Sequence, residues 1–289
     1  MTAPGLRLRS VLYVPGANER ALEKARDLAV DALILDLEDS VLPGSKTQAR
    51  ERVCELVRTG AYGRTPVAVR INAIGTSWHA EDVAVVTSVE PDAVIVPKVQ
   101  SGEEVLAVEQ ALQRAGSSRT QIWVMVETPL AVLRALDIAT ASERLTVLVI
   151  GTNDLVAALG ASNTPDRGAL ETSLGLCLLA ARASGRQILD GVYNDVRDAA
   201  GFEAECLQGR QLGFDGKTLI HPAQIEACNR AFSPSRQELE HAGRVIEVFE
   251  QAARAGAGVA TIDGRLIESL DVDAARRVLA SADPGDAST

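Results

Sequence analysis

Several features that mark common protein classes are scarce in this 289-residue sequence. Aromatic residues make up only 3% of it, so a core must be built mainly from Val, Ile, Leu and Ala. No two of the four cysteines form a C-x-x-C pair. This spacing argues against a structural zinc site and a disulfide scaffold, and it fits a reducing compartment.

Two further absences concern positive charge and long apolar runs. The formal net charge is −10, whereas a nucleic-acid-binding surface is typically basic. No run approaches the ~20 apolar residues of a membrane span, and the N-terminal stretch lacks the apolar core of a secretory signal peptide. We therefore expect a soluble cytoplasmic protein that binds neither nucleic acid nor a membrane.

Near-continuous apolar runs alternate with helical patterns along most of the chain. The eight runs that we interpret as strands are SVLYVPG, DALILDLEDS, TPVAVRIN, DAVIVPKV, IWVMVETPL, LTVLVIGTND, RQILDGVYN and GKTLIHP. Such runs are typical of a parallel sheet that is covered on both faces. We predict an α/β fold, a (β/α)8 TIM barrel, for residues 1–234. A doubly wound open sheet is the alternative, but the turn Pro15-Gly16-Ala17-Asn18 lacks its Gly-rich phosphate-binding spacing.

The pattern changes after residue 234. Two amphipathic helical stretches flank a short extended segment, GVATIDGRLIESL. This tail exceeds what a barrel needs. We interpret residues 235–289 as a C-terminal helical arm that packs under its own barrel or contacts a neighbouring subunit.

Two strands in the middle of the chain each lead into a carboxylate, Glu127 and Asp154. A strand–helix–strand unit of this length makes the two strands parallel neighbours. Both acids then lie at the carboxyl ends of the strands, where barrel enzymes carry their chemistry. Adjacent carboxylates repel each other unless a cation lies between them, and oxygen ligands suit Mg²⁺ or Mn²⁺. We predict a metal site at these two residues.

Arg70 ends the third strand, and the alternation in VAVRIN directs its side chain into the barrel mouth. An unpaired buried guanidinium is too costly. Arg70 therefore pairs with Asp36 or Glu38, which follow the second strand, or binds an anionic substrate group, or does both. An arginine can bind a carboxylate or an enolate through two N–H groups. We count Arg70 and Glu38 among the candidate catalytic residues.

A basic group lies in the first two predicted helices, at Arg20, Lys24 and Lys46. These side chains either bind phosphates at the barrel rim or form ordinary solvated helix faces, and spacing alone does not decide between the two. Several other polar residues at strand ends fit a helix cap or loop cap as well as a site residue: Asp39, Asn153, Asp195 and His221.

Eight ordered motifs span almost the whole chain: RSVLYVPGANERALEKA (9–25), DALILDLEDSV (31–41), KTQAR (46–50), VRINAIGT (69–76), VIVPKV (94–99), VMVETPLAV (124–132), GTNDLVAALG (151–160) and GFDGKTLIHPAQI (213–225). With these motifs the sequence resembles the HpcH/HpaI aldolase/citrate lyase family, in particular its citrate lyase β-subunit-like members. These members are related to the malyl-CoA and citramalyl-CoA lyases.

The resemblance implies a TIM barrel in which Glu127 and Asp154 hold Mg²⁺, or Mn²⁺ in its place. It further implies that Arg70 binds the substrate carbonyl or enolate. The basic residues Arg20, Lys24 and Lys46 are implied to hold a CoA thioester, with Glu127 also at the substrate.

The resemblance also implies a homo-oligomer, most often a homotrimer in this family. A C-terminal segment of one subunit then covers a neighbour's barrel and supplies an acidic residue. The matching stretch here is GRLIESLDV, and the acid is Glu268. The family more often has Asp at this position. The longer side chain shifts the carboxyl group by about an ångström, and a displacement of that size can alter catalysis.

The residues and the resemblance together predict a Mg²⁺-dependent carbon–carbon lyase. It would cleave or form a 3-hydroxy-dicarboxylyl-CoA thioester such as malyl-, citramalyl- or citryl-CoA, with a 2-oxo acid and an acyl-CoA as the products of cleavage. Mg²⁺ would act as a Lewis acid, Arg70 would stabilise the thioester enolate, and Glu268 would exchange the α-proton. The alternatives are an acyl-CoA thioesterase on the same site, a CoA-independent aldolase, and a non-catalytic subunit of a citrate lyase-like complex.

Overall fold

The computed structural model describes residues 6–254 and 259–282. The chain divides into two compact units between Asn229 and Arg230. The change of sequence pattern placed this division five residues later, at residue 234. No helix among the described residues is long and apolar enough to cross a membrane.

Eight parallel strands of the first unit close into a barrel in chain order, with β1 paired to both β2 and β8. The strands are β1 (Ser10–Pro15), β2 (Ala32–Asp36), β3 (Val67–Arg70), β4 (Ala93–Val96), β5 (Gln121–Val126), β6 (Leu145–Ile150), β7 (Gln187–Asp190) and β8 (Gly216–Leu219). They coincide with the eight apolar runs, so the predicted TIM barrel is confirmed.

Helices connect consecutive strands and follow the last one. They are α1 (Glu19–Lys24), α2 (Lys46–Arg58), α3 (His79–Thr87), α4 (Gly102–Arg114), α5 (Pro129–Leu133), α6 (Ala135–Thr140), α7 (Thr152–Leu159), α8 (Glu171–Ser184), α9 (Ala199–Leu212) and α10 (Ile225–Phe232). The single helix predicted between β5 and β6 is two short helices, because Arg134 leaves helical geometry at φ −108° and ψ 15°.

Alternation along the strands fills the barrel and also shapes its mouth. The interior contains an apolar cluster with members on all strands except β8, among them Val11, Trp123 and Leu189. Successive side chains of a strand point to opposite faces. Beyond the core, the next inward-facing residue of three strands is charged: Asp36 follows Ile34, Arg70 follows Ala68, and Glu127 follows Met125. The register that packs the core therefore also directs charged groups into the barrel mouth.

The second unit contains α11 (Arg236–Arg254), an antiparallel hairpin of β9 (Ala260–Ile262) and β10 (Arg265–Ile267), and α12 (Ser269–Ala280). Apolar side chains from both helices and the hairpin form a core of their own. The predicted helices around an extended stretch are confirmed. Contact of this arm with a neighbouring subunit stays a prediction.

Candidate functional site

A cavity of about 370 Å³ opens at the carboxyl ends of the barrel strands. Its lining includes Tyr13, Asp36, Arg70, Gly151, Asp154 and Asn194. These residues come from five different strands or from the loops that follow them, so the barrel brings distant parts of the sequence to one place. The cavity lies where the alternation of strands and helices predicted the chemistry.

Glu127 follows β5 and is almost fully buried, with 2% of its surface exposed. Its Oε1 accepts a hydrogen bond from the backbone N–H of Lys98 at 2.7 Å. The side chain lies against Gly151, where an added Cβ would overlap both Cβ and Oε2 of Glu127. Burial, together with the negative charges of Asp154 and Glu38, raises the pKa of the Glu127 carboxyl group to about 7.

Asp154 lies in the first turn of α7, directly after β6, and it lines the cavity. Its charge acts on Glu127, so the two acids are neighbours, as their strand positions predicted. A divalent cation would offset both the burial of Glu127 and the repulsion between the pair. The donor set is all oxygen, which suits a hard cation. These residues therefore fit Mg²⁺.

Ligands that do not belong to the chain would complete the coordination of the metal ion. Among residues 6–254 and 259–282, no group of three or more His, Cys, Asp or Glu side chains could hold a metal ion. Mg²⁺ is commonly held by one or two carboxylates and takes its other ligands from water and substrate oxygens. A site formed by Asp154, which lines the cavity, and Glu127, which lies buried against the lining residue Gly151, is consistent with this mode of binding.

Arg70 is held by a bidentate ion pair at the mouth of the barrel. Its Nε and Nη2 donate to Oδ1 and Oδ2 of Asp36 at 2.6 and 2.7 Å. Its Nη1 lies 3.0 Å from Oε2 of Glu38, and the guanidinium lies 4.8 Å from the centre of the Tyr13 ring. Burial disfavours the charged form of Asp36, but the charge and hydrogen bonds of Arg70 outweigh it and lower the pKa of Asp36. Both predicted partners are thus present.

Glu38 is also buried, and its two oxygens differ in their surroundings. Oε1 accepts a hydrogen bond from Nζ of Lys98 at 3.2 Å. Oε2 has no hydrogen-bond partner among the described residues, although the charge of Arg70 is close. Burial raises the pKa of Glu38 against the opposing charge of Arg70. A buried carboxyl group with a raised pKa at the mouth of the barrel is a candidate for proton transfer.

The predicted CoA-binding residues lie in different environments. Arg20 and Lys24 of α1 are exposed, and Arg20 lines an open cleft beside the cavity. Lys46 is buried, and its Nζ donates to the backbone carbonyls of Leu37 and Glu38 at 3.0 and 2.9 Å. Lys46 therefore holds the loop after β2 in place. A role in CoA binding stays a prediction for all three.

Other strand-end residues act mainly on the loops. Nδ1 of His221 accepts a hydrogen bond from the backbone N–H of Ala223, which makes His221 a loop cap. The side-chain amides of Asn153, in the first turn of α7, and Asn194, in the loop after β7, exchange two hydrogen bonds at 2.7 and 3.2 Å. This amide pair contributes to the wall of the cavity.

Glu268 belongs to the second unit and is exposed at the start of α12. Its backbone N–H donates to the carboxylate of Asp271 at 2.9 Å, a bond that satisfies one unpaired donor of the helix start. Its proposed action in a neighbouring barrel stays a prediction.

Sequence reasoning missed a buried ionic network outside the barrel interior. Nη1 of Arg167 donates to both oxygens of Asp190 at 2.7 and 2.8 Å. Nζ of Lys217 donates to Asp190 at 3.1 Å and to Glu205 of α9 at 2.6 Å. The sequence feature that could have indicated this network is the presence of two charged residues, Asp190 and Lys217, within apolar strands. They have 0% exposure and must be paired.

Comparison with known proteins agrees with the fold and the motifs. The sequence model of the HpcH/HpaI aldolase/citrate lyase family matches residues 9–222. A (3S)-malyl-CoA thioesterase of Cereibacter sphaeroides (strain ATCC 17025 / ATH 2.4.3) is 50% identical over 275 residues, which are 95% of this chain and 94% of that protein. Citrate lyase subunit beta of Escherichia coli (strain K12) is 37% identical over 281 residues, 95% of this chain and 93% of that protein.

Among solved structures, CitE from Mycobacterium tuberculosis in complex with magnesium, acetoacetate and coenzyme A superposes with a TM-score of 0.78 at 30% identity. The superposition covers 95% of this chain and 99% of that chain. The family match over most of the chain and the two full-length relatives confirm the resemblance read from the motifs. The chain belongs to the HpcH/HpaI aldolase/citrate lyase family.

Proposed function

We propose that the protein is a Mg²⁺-dependent enzyme that hydrolyses the CoA thioester of a 3-hydroxy dicarboxylic acid of the (3S)-malyl-CoA type. The observation that carries the proposal is the arrangement of charge at one cavity, whose lining includes Arg70 and Asp154, with Glu127 buried against Gly151 of that lining. The carboxylate pair Glu127 and Asp154 follows β5 and β6, while Arg70 at the end of β3 is held by Asp36. A substrate with a carboxylate at one end and a thioester at the other needs two recognition elements of this kind.

Glu127 and Asp154 would hold the metal ion. When bound, the metal ion would supply Lewis-acid polarisation of substrate oxygens. The related CitE was crystallised with magnesium and coenzyme A, which supports this assignment. The exposed side chains of Arg20 and Lys24 are available for the phosphates of CoA.

Arg70 would stabilise the negative charge that develops on the thioester oxygen. Its Nε and Nη2 are committed to Asp36, so the guanidinium cannot turn away when that charge forms. Such preorganised donors contribute several kcal/mol to a reaction, about 2.7–4 for one oxyanion donor. Glu38 would accept a proton from the attacking water, since the pKa of its buried carboxyl group is raised and it lies 3.0 Å from Arg70. The C–S bond then breaks, and CoA leaves as the thiol after gaining a proton.

The relatives favour hydrolysis as the net reaction. The relative named a thioesterase is 50% identical to this chain, and the relative named a citrate lyase subunit is 37% identical, at the same coverage of the chain. The second candidate function is carbon–carbon cleavage to a 2-oxo acid and an acyl-CoA, which the citrate lyase relative favours. Both reactions place negative charge on the same thioester oxygen, so Arg70 would serve either one.

The two reactions differ in the proton that is removed first. Hydrolysis takes it from water, whereas cleavage takes it from the substrate hydroxyl and later returns one to the enolate carbon. Cleavage therefore needs an acid at that carbon, the role predicted for Glu268 of a neighbouring subunit.

Product analysis tests the proposal directly. The protein is incubated with (3S)-malyl-CoA and Mg²⁺ in water enriched in ¹⁸O, and the products are separated by chromatography with mass detection. We expect free CoA and malate in equal amounts, with one ¹⁸O atom in the malate carboxyl group. Acetyl-CoA and glyoxylate without label in the acyl group would establish the second candidate instead. No turnover of malyl-, citramalyl- or citryl-CoA would contradict the proposal.

A further inference from the structure

Lys98 has an unusual backbone conformation beside the candidate metal site. It follows β4 and has φ +55°, in the left-handed region that side-chain-bearing residues rarely adopt. Four non-glycine residues in the described parts of the chain share this feature: Glu90, Lys98, Arg167 and Asp263. A strained conformation of this kind persists when surrounding contacts hold it, and it is often found at functional sites.

The left-handed turn directs the backbone N–H of Lys98 at the candidate metal ligand. That N–H donates to Oε1 of Glu127 at 2.7 Å. No other described residue donates a hydrogen bond to this carboxylate, and Oε2 is left beside Gly151. The orientation of the Glu127 carboxylate is therefore set by the backbone of residue 98.

The side chain of Lys98 contacts two carboxylates other than Glu127. Its Nζ donates to Oε1 of Glu38 at 3.2 Å and lies 3.9 Å from Oδ1 of Asp39. Glu38 and Asp39 follow β2, while Glu127 follows β5, and these two strands are separated by β3 and β4. Lys98 thus links carboxylates on both sides of the barrel mouth, one through its backbone and the others through its ammonium group.

We propose that Lys98 is a positioning residue for the metal site: its left-handed backbone orients Glu127 so that Oε2 is free for the cation, while its ammonium group keeps Glu38 from joining the metal ligands. The inference rests on the proposed function, because it assumes that Glu127 binds Mg²⁺. It assigns the two effects to different parts of one residue, and substitutions can separate them.

Two substitutions remove the charge equally but differ in their backbone preference. Lys98→Gly adopts positive φ readily and keeps the N–H donor, whereas Lys98→Val strongly disfavours positive φ. Loss of a neighbouring cation favours binding of a divalent cation by simple electrostatics. We therefore expect Lys98→Gly to bind Mg²⁺ at least as tightly as the wild type. Lys98→Val should bind it about tenfold or more weakly, the usual effect of losing a ligand-orienting partner.

Isothermal titration of the full-length, metal-free protein with Mg²⁺ is the primary measurement, and electron paramagnetic resonance of bound Mn²⁺ reports on the ligand geometry. Glu90→Gly and Glu90→Val are the matched control pair, since Glu90 has φ +48° and lies outside the cavity lining. We expect both control variants to keep the wild-type affinity, even if the valine variant is less stable. If Lys98→Val does not fold, Lys98→Ala replaces it, because alanine also disfavours the left-handed region.

Equal affinities of the glycine and valine variants would overturn the positioning role, because a purely electrostatic role depends only on the lost charge. Loss of affinity in Glu90→Val would also overturn it, by showing that backbone strain anywhere in the barrel has the same effect. Failure of the wild type to bind either Mg²⁺ or Mn²⁺ would contradict the proposed function itself, and this result is distinct from the other two.

Discussion

Substitution of Gly151 by alanine is a sharp test of the site geometry. Gly151 has φ −90°, a value that alanine adopts without strain, so any effect must come from the added methyl group. That Cβ would overlap Cβ and Oε2 of Glu127 and would lie 3.2 Å from its Cδ. Carbon atoms pack at about 3.5–4.0 Å. The Glu127 side chain must therefore move by about an ångström, or the loop after β6 must move with Asp154.

The size of the expected effect follows from this displacement. A misplacement of about 1 Å at a reacting centre can lower the rate by about 100-fold, which corresponds to about 2.7 kcal/mol of transition-state stabilisation. We expect kcat/KM of Gly151→Ala to fall by about that factor, together with a weaker Kd for Mg²⁺. Overpacking should also lower the free energy of unfolding by about 1–3 kcal/mol.

The assay is steady-state turnover of (3S)-malyl-CoA together with titration of Mg²⁺ and chemical unfolding. Gly175→Ala is the matched control, because Gly175 lies within α8 and an added Cβ there meets nothing within 4 Å. This control should raise the free energy of unfolding by about 0.5–1 kcal/mol and leave kcat/KM unchanged. Wild-type turnover and Mg²⁺ affinity in Gly151→Ala would refute the placement of Glu127 at the site.

Three further predictions concern buried charges. In metal-free protein the pKa of Glu127 is raised to about 7, so ionisation of this carboxyl group destabilises the fold as pH rises from about 4.5 through 7. Chemical unfolding should therefore show Glu127→Gln to be more stable than the wild type by up to about 3 kcal/mol at pH 8, but not at pH 4. Arg70→Met leaves Asp36 buried without its partner, and we expect unfolding measurements to show a loss of about 3–5 kcal/mol. Lys217→Met should cost about 3 kcal/mol because it breaks the network with Asp190, while kcat/KM of the folded protein stays near wild type; a large loss of activity would place that network in the site.

The sequence predicted the fold because the barrel follows from local patterns. Near-continuous apolar runs such as those of β2 and β6 indicate strands that are buried on both faces, and the helical stretches between them require parallel neighbours. The positions of Glu127 and Asp154 followed from the same reasoning, since each comes directly after a strand. The break of the helix at Arg134 was not predicted, because no proline or glycine marks it.

Contacts that depend on side-chain direction or backbone conformation could be predicted less accurately than the fold. Arg70 was expected to meet Asp36 or Glu38, and the bidentate geometry with Asp36 became evident only in the structure. The left-handed conformation of Lys98 has no sequence signal, because lysine is not typical of positive φ. The Arg167 contact with Asp190 joins a loop to a strand 23 residues away, and spacing along the chain does not indicate such a pair.

The proposed function depends on two carboxylates after neighbouring barrel strands that share one divalent cation. Calorimetric titration of metal-free wild type, Glu127→Ala and Asp154→Ala with Mg²⁺ tests this sharing most directly, with circular dichroism to establish that each variant is folded. We predict one Mg²⁺ per chain for the wild type and a loss of affinity of at least about 100-fold in each variant. Unchanged binding of Mg²⁺ by either folded variant would contradict the shared site.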